Sequence, residues 1–273
     1  MVKKILIVSA NADKAGVPIH ILELARGLKR SHRFNFLFGE KGPIYQELQD
    51  DNYDVKILNG LTSRWSPIKD IYVLYKLVRH IRSTNPDIIH LHSSKAGIIG
   101  RLAGLITSKR TIFTLHGWSW NSVSGAKSTI YKVIEFFMSR ISNCEYVLVC
   151  EGLKSQGVAV LGAKLKSAKV ILNGVKDFDI EDRKFGKKIT LVMPARFNYP
   201  KDHCSLVRAL SQLDIDFNMI FCGSGTDSEE FVSMVNGLDA QNFQRYTFMG
   251  SVDNMAPLLA TCDVLVLSSL SEA

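Results

Sequence analysis

No stretch of the 273-residue sequence approaches the roughly 20 consecutive apolar residues that a membrane-crossing helix needs. The opening MVKKILIVSANADK carries a basic pair, but its apolar run ends after about six residues, too short for the core of a secretory leader. It reads instead as a first β-strand. Low-complexity tracts and repeats of solenoid period are absent. The five cysteines, Cys144, Cys150, Cys204, Cys222 and Cys262, are odd in number and scattered, which argues against a disulfide framework. They fit small buried hydrophobes in a reducing compartment. Zinc-finger spacings and blocks of consecutive Lys and Arg are also missing, so nucleic acid has no specific support as a partner.

What is present is a net charge of +8 on an otherwise ordinary globular composition, 46% apolar and 22% charged. The charge points to anionic partners, and phosphorylated small molecules or an anionic membrane face remain. The length suits two domains of average size.

Short apolar runs alternate with amphipathic segments along the whole chain. KILIVSA, RFNFLFG, YDVKILN, DIIHLH, RTIFTLH, EYVLVC and KVILNG come first, and ITLVMPA, FNMIFCG, RYTFMG and DVLVLSS follow after a break. Near-continuous hydrophobicity over four to eight residues suits parallel strands covered on both faces. Repeated strand-then-helix order predicts an α/β protein with two Rossmann-like, doubly wound parallel-sheet domains. The break falls in the polar, glycine-bounded stretch 174–188. The expected organisation is therefore a first domain over 1–175, a linker over 176–188, and a second domain over 189–273. That second domain reads as incomplete, because no helix follows its last strand. Ligands of such sheets bind outside the carboxyl ends of the strands.

Several stretches fall at those ends. PARFNYPKDH (194–203) places Arg196 just past a strand and Lys201 at the start of the next helix. Two cations beside a helix N-terminus form a diphosphate site, although the same pair could be solvated surface charges. FCGSGTDSEEF (221–231) carries Gly223 and Gly225 but no third glycine. Its acidic first helical turn would repel phosphate, so it borders a base or ribose, or is a plain tight turn. TLHGWSW (114–120) puts His116 at a strand end, where a neutral imidazole can hydrogen-bond a sugar hydroxyl or simply close a turn. IIHLHSSKAG (88–97) places His90 and His92 on one side of a strand. With no third ligand at metal spacing, neither is expected to bind metal. His92 is placed on the acceptor side, and the loop that follows, Ser93, Ser94, Lys95 and Gly97, could hold an anionic or hydroxylated acceptor. Gly16, in SANADKAGVP (9–18), would let backbone approach a ligand. In SPIKDIYVLYKLVRHIRS (66–83), Ile68, Ile71, Tyr72, Tyr75, Val78 and Ile81 share one helix face, with Lys69, Lys76, Arg79 and Arg82 mostly off it. That face either packs on the core or lies on anionic lipid.

Taken together, PDIIHLHSSKAGIIGRLAG, TLHGW, LNGV, PARFNYPKDH, GSVDNMAPLLATCDVLVLSSLSEA and VPIHILELARGL resemble the family-four retaining glycosyltransferases of GT-B architecture. The resemblance is greatest to bacterial members that build capsule, O-antigen or exopolysaccharide on a lipid carrier. It implies an acceptor-binding first domain and a second domain that binds a nucleotide-diphospho sugar, with UDP the expected carrier. It implies that Arg196 and Lys201, with Gly16, hold the donor diphosphate, and that His116 lies near the donor sugar. Glu272 matches the first of the family's paired glutamates, which contacts the sugar, so the resemblance makes His116 and Glu272 the expected catalytic residues; the second glutamate, which contacts the ribose, would fall beyond Ala273. Ala15–Gly16 stands where the family often has two glycines. The resemblance also implies no metal and no cofactor, a lipid-linked saccharide acceptor, and a cytoplasmic protein or one peripheral to the inner face of the plasma membrane. A nucleotide-sugar epimerase of the same shape, and an inactive fragment or binding module, are the alternatives.

Overall fold

The computed structural model describes residues 1–62, 65–174 and 188–270. Contacts divide the chain into two compact units, Met1–Val175 and Lys176–Glu272. Apart from Lys188, the expected linker lies outside the described residues, as does Glu272.

In the first unit, strand and helix alternate from β1 (Lys4–Ser9), α1 (Gly16–Leu28), β2 (Arg33–Phe38), α2 (Pro43–Asp50), β3 (Asp54–Ile57) and α3 (Pro67–Thr84) to β4 (Ile88–His92) and α4 (Ser94–Thr107). The alternation continues through β5 (Arg110–Leu115), α5 (Gly125–Ile141), β6 (Cys144–Leu148), α6 (Glu151–Leu161) and β7 (Lys169–Val170). The seven strands lie in the order β3-β2-β1-β4-β5-β6-β7, all parallel. This order, reversing beside β1, is that of a doubly wound sheet. Helices cover both faces. One apolar cluster runs from Leu6 and Val8 through Ile89, Leu91, Phe113 and Leu148, and the other joins Ile5, Ile7, Phe36 and Phe38 to Ile21 and Leu22 of α1. Burial on both sides explains why these strands read as continuous apolar runs rather than alternating ones.

The second unit contains β8 (Ile189–Pro194), α7 (His203–Leu210), β9 (Phe217–Cys222), α8 (Glu229–Leu238), β10 (Tyr246–Phe248), α9 (Met255–Ala260) and β11 (Val264–Leu265). Its strands pair in parallel in the order β10-β9-β8-β11. Phe217, Phe221, Phe231 and Val235 centre its core.

One helix departs from expectation. The buried residues of α3 are Val73, Leu77, Val78 and Ile81. Ile68, Ile71, Tyr72 and Tyr75, expected on the same face, are exposed, Ile68 by 85%. The helix packs through one stripe against α4 and leaves a second apolar stripe in solvent. There Lys76 Nζ sits 4.4 Å from the Tyr72 ring centre, and the Arg79 guanidinium 5.9 Å from that of Tyr75. No helix among the described residues is long and apolar enough to cross a membrane.

Candidate functional site

At the carboxyl edge of the first sheet, β4 and β5 pair so that His92 lies opposite Thr114. Strand alternation turns Ile89 and Leu91 into one apolar cluster and His90 and His92 to the other side. His90 Nε2 is 2.7 Å from Thr114 Oγ1. His92 Nδ1 lies 3.2 Å from Nε2 of His116, which follows β5. His20, from the second turn of α1, completes the cluster, its ring centre 4.9 Å from that of His116 and 5.6 Å from that of His92. The imidazole of His20 is also hydrogen-bonded to Asn173, in the LNGV stretch.

Burial keeps these rings neutral. It lowers the pKa of His90 to about 3 and that of His116 to about 4, and nearby imidazoles add to the effect. His92 is pushed well below 6.5 for the same reasons, and His20 is lowered by burial against the opposing pull of Asn173. At neutral pH each ring therefore offers one donor and one lone pair. The argument from spacing that denied His92 a third metal ligand fails here. Ligand nitrogens of His20, His92 and His116, from three separate segments, all lie within 4.8 Å of one another.

The loop after β4 is strained and closed. Ser93 adopts φ 68°, ψ 151°, a region that residues with a Cβ rarely occupy. Its hydroxyl accepts a hydrogen bond from the Ala10 amide at 3.2 Å, tying the loop after β4 to the end of β1. Ser94 begins α4. Lys95, expected to offer its charge to an acceptor, is only 3% exposed, and its Nζ pairs with Asp70 of α3 at 2.6 Å. Its ammonium also lies 5.6 Å from the centre of the Trp65 ring. The charge is thus largely spent inside the protein, because a buried ammonium requires a counter-ion. These residues still line a cavity of about 280 Å³, with Asn11, Trp65 and Tyr131. The two indoles after His116 are structural: Trp118 is buried, stacks on Trp120, and donates Nε1–H to the Leu153 carbonyl at 2.8 Å.

Gly16 opens α1 with nothing within 4 Å of where a Cβ would stand. The protein itself gives no reason for a glycine there, which leaves room in front of the helix for a ligand.

In the second unit, Arg196 projects into solvent just past β8, and its guanidinium has no hydrogen bond or ion pair among the described residues. Lys201 lies on the same loop, which is fastened to the exit of β11. The Asp202 amide donates to the Ser268 carbonyl at 3.0 Å, the Leu270 amide to the Pro200 carbonyl at 2.9 Å, and Lys201 forms a backbone bridge with Ser269. The helix end beside Lys201 is not a free anion site. The Asp202 carboxylate caps α7 by accepting from the Ser205 amide at 3.0 Å, and hydrogen bonds from Ser205 lower its pKa. Any phosphate would rely on the cations more than on this helix.

Gly223 and Gly225 have positive φ, +138° and +85°. A Cβ on Gly223 would fall 2.5 Å from the Ala195 carbonyl carbon and 2.7 Å from the Arg196 amide. Gly223 thus lets the β8 and β9 loops press together and fixes the backbone that carries Arg196. That requirement is met inside the protein, without a nucleotide.

Sequence reasoning missed His20, Asp70, Trp65, Tyr131 and Asn173. Only His20 had a usable signal, lying one helical turn beyond Gly16 on the helix that follows the first loop.

Two parallel-sheet α/β units of this build define the GT-B class of glycosyltransferase fold. A crystal structure of Anabaena Alr3699/HepE in complex with UDP and glucose superposes with a TM-score of 0.78 at 18% identity, over 98% of this chain and 75% of that one. The chain belongs to Glycosyltransferase Family 4, whose family model matches residues 15–177, and the model for Glycosyl transferases group 1 matches residues 175–273. Among characterised relatives, the Escherichia coli UDP-Gal:alpha-D-GlcNAc-diphosphoundecaprenol alpha-1,3-galactosyltransferase is 30% identical over 52% of this chain and 36% of its own length. The Staphylococcus aureus capsular polysaccharide biosynthesis glycosyltransferase CapH is 21% identical over 97% of this chain and 75% of its own. The chain thus spans about a third of the length of the first of these relatives.

Proposed function

We propose that this chain transfers a sugar from a UDP-sugar to a lipid-linked saccharide, with retention of anomeric configuration, in the assembly of a surface polysaccharide. The observation that carries the reading is the solvent-facing Arg196, with no side-chain partner among the described residues, on a loop fixed at the end of the first strand of the second sheet. A guanidinium held there matches the forked oxygens of a diphosphate. The chemical task is to stabilise charge on the departing nucleoside diphosphate. The bond from anomeric carbon to diphosphate oxygen breaks, the acceptor oxygen bonds to the same face of that carbon, and the hydroxyl proton passes to the diphosphate. Arg196 and Lys201 supply preorganised positive charge for this. With two cations in that role, no metal cofactor is required.

In this reading the first unit holds the acceptor and the second the donor. Neutral His116 hydrogen-bonds a donor-sugar hydroxyl, Gly16 lets backbone approach the diphosphate, and Gly223 and Gly225 border the nucleotide. Glu272 contacts the sugar by its motif position. The cavity beside Ser93 and Ser94, with Trp65 and Tyr131 on its wall, suits a saccharide, because aromatic faces pack on sugar rings while hydroxyls exchange hydrogen bonds. The exposed stripe of Ile68, Ile71, Tyr72 and Tyr75, flanked by Lys76 and Arg79, is suited to an anionic membrane face, where a lipid-linked acceptor resides.

The test is sugar transfer by the full-length protein, offered a panel of UDP-sugars and a polyprenyl-diphosphate saccharide. The expected product carries the donor's anomeric configuration, read by NMR. An inverted product, or no transfer across the panel, would overturn the reading. Donor epimerised without acceptor would replace it with the epimerase.

A further inference from the structure

We propose that His20, His92 and His116 form a binding site for a transition-metal dication of the zinc type, separate from any ion that accompanies the donor diphosphate. The three side chains come from α1, the end of β4 and the exit of β5, and their ligand nitrogens all lie within 4.8 Å of one another. The shortest separation, 3.2 Å between His92 Nδ1 and His116 Nε2, is close to the roughly 3.3 Å edge of a tetrahedron with 2.0–2.1 Å metal–nitrogen bonds.

A hydrogen-bonded imidazole cluster is the competing explanation of this geometry. One bond between His92 and His116 uses one nitrogen of each ring. The other nitrogen of His92, Nε2, is buried with no partner. That nitrogen stays unpaired whether or not an ion engages Nδ1, so the case for an ion rests on the convergence of three ligand nitrogens from separate segments. Of the three ring pairs, His20 and His116 meet edge to face and the other two are tilted, whereas a shared cation would engage a lone pair on each ring.

The surroundings resemble the outer shell of a metal site. His20 is hydrogen-bonded to Asn173, which restrains its ring. The His90 ring lies 4.4 Å from that of His92 and is itself held by Thr114. His92 is fully buried, while His20 and His116 are partly exposed, so an ion can arrive from solvent and keep an outer position for water. The donor set is all nitrogen, with no carboxylate among the three. Such a set favours Zn²⁺, Ni²⁺ or Cu²⁺ and discriminates against Mg²⁺ and Ca²⁺, which prefer oxygen.

A metal here would act as an inhibitor, and this consequence alone rests on the proposed function. It would take the His116 lone pair and fill the space where a donor sugar is assigned. Binding itself does not depend on that reading, so the two are separable by experiment.

The full-length protein, stripped with chelator, is titrated with Co²⁺ and followed by its visible d–d absorption. Zn²⁺ binding and competition are then measured by calorimetry. One ion per chain is expected, with Zn²⁺ displacing Co²⁺ and Mg²⁺ without effect. His20→Asn, at a partly exposed position that leaves the buried ring in place, should weaken Zn²⁺ binding by about 10–100-fold or more while the melting profile is preserved. His92→Gln is the second variant and should do the same if it folds. Absence of saturable Zn²⁺ binding, or binding unchanged in His20→Asn, would overturn the site. If Zn²⁺ binds as expected yet transfer is not inhibited, the site stands and the role of His116 in the proposed function falls.

Discussion

At the carboxyl edge of the first sheet the polar groups are largely buried, neutral or ion-paired, and tied to one another. His90 bonds Thr114, His92 meets His116, Ser93 holds the end of β1, and Lys95 is paired with Asp70. At the corresponding edge of the second sheet the polar group is a charge in solvent. Arg196 has no side-chain partner among the described residues, and what is fixed is the backbone beneath it, through the close approach of Gly223. A buried edge must satisfy its own polar groups, since an unmet one costs about 1–3 kcal/mol. An exposed edge defers satisfaction to its ligand. The first edge therefore spends its residues on stability and shape, and the proposed function gives the second to binding. Neutral hydroxyl-rich ligands suit the former and a diphosphate the latter.

Four substitutions test this contrast. Asp70→Asn should cost the most stability, roughly 3–5 kcal/mol, because it leaves a buried ammonium without its carboxylate. Urea denaturation followed by fluorescence measures it, and a loss under 1 kcal/mol would show that the first edge is not held by this pair. Arg196→Ala should behave in the opposite way. Stability should stay within about 0.5 kcal/mol, while kcat for sugar transfer falls by about 10²–10³. A fall below threefold would remove Arg196 from the diphosphate site. Gly223→Ala should damage both properties, losing about 2–4 kcal/mol and donor affinity together, since its Cβ would strike the Ala195 and Arg196 backbone. Equal stability to the parent would mean that the two loops can part. Gly16→Ala is the smallest in magnitude and the most discriminating in sign. With open space around it, it should stabilise the first unit by about 0.4–1 kcal/mol. Weaker UDP-sugar binding in calorimetry is expected alongside. Unchanged binding would dissociate Gly16 from the donor.

Much of the fold could be read in advance, because parallel strands covered on both faces have a conspicuous signature. Each of the eleven apolar runs contains a strand, from KILIVS to the two-residue β11. The orientation of α3 could not be read. Its sequence carries two apolar stripes, and only the position of α4 decides which one is buried. For the candidate site, strand alternation placed His90 and His92 together correctly, since that rule is local. The approach of His20 to His92 and His116 is set by how α1 packs on the sheet, which no spacing rule reports. Burial of Lys95 escaped for a related reason: its partner Asp70 lies on another helix. The glycine turn at Gly223 was visible as a turn, but its need for glycine comes from the neighbouring strand's loop.

The position of β1 in its sheet carries a consequence for synthesis. Of the described strands it is the earliest to leave the ribosome, yet it lies between β2 and β4. One side can be covered once Arg33–Phe38 has emerged, but the other waits for Ile88–His92. At roughly 5–20 residues per second that interval is on the order of 3–10 s. Throughout it, the apolar KILIVS segment presents an unpaired edge, the kind of surface that chaperones cover and that pairs wrongly with other chains. The strand that closes this gap is also the one that brings in His92, so the nascent chain is protected and its candidate site begins to form at the same moment.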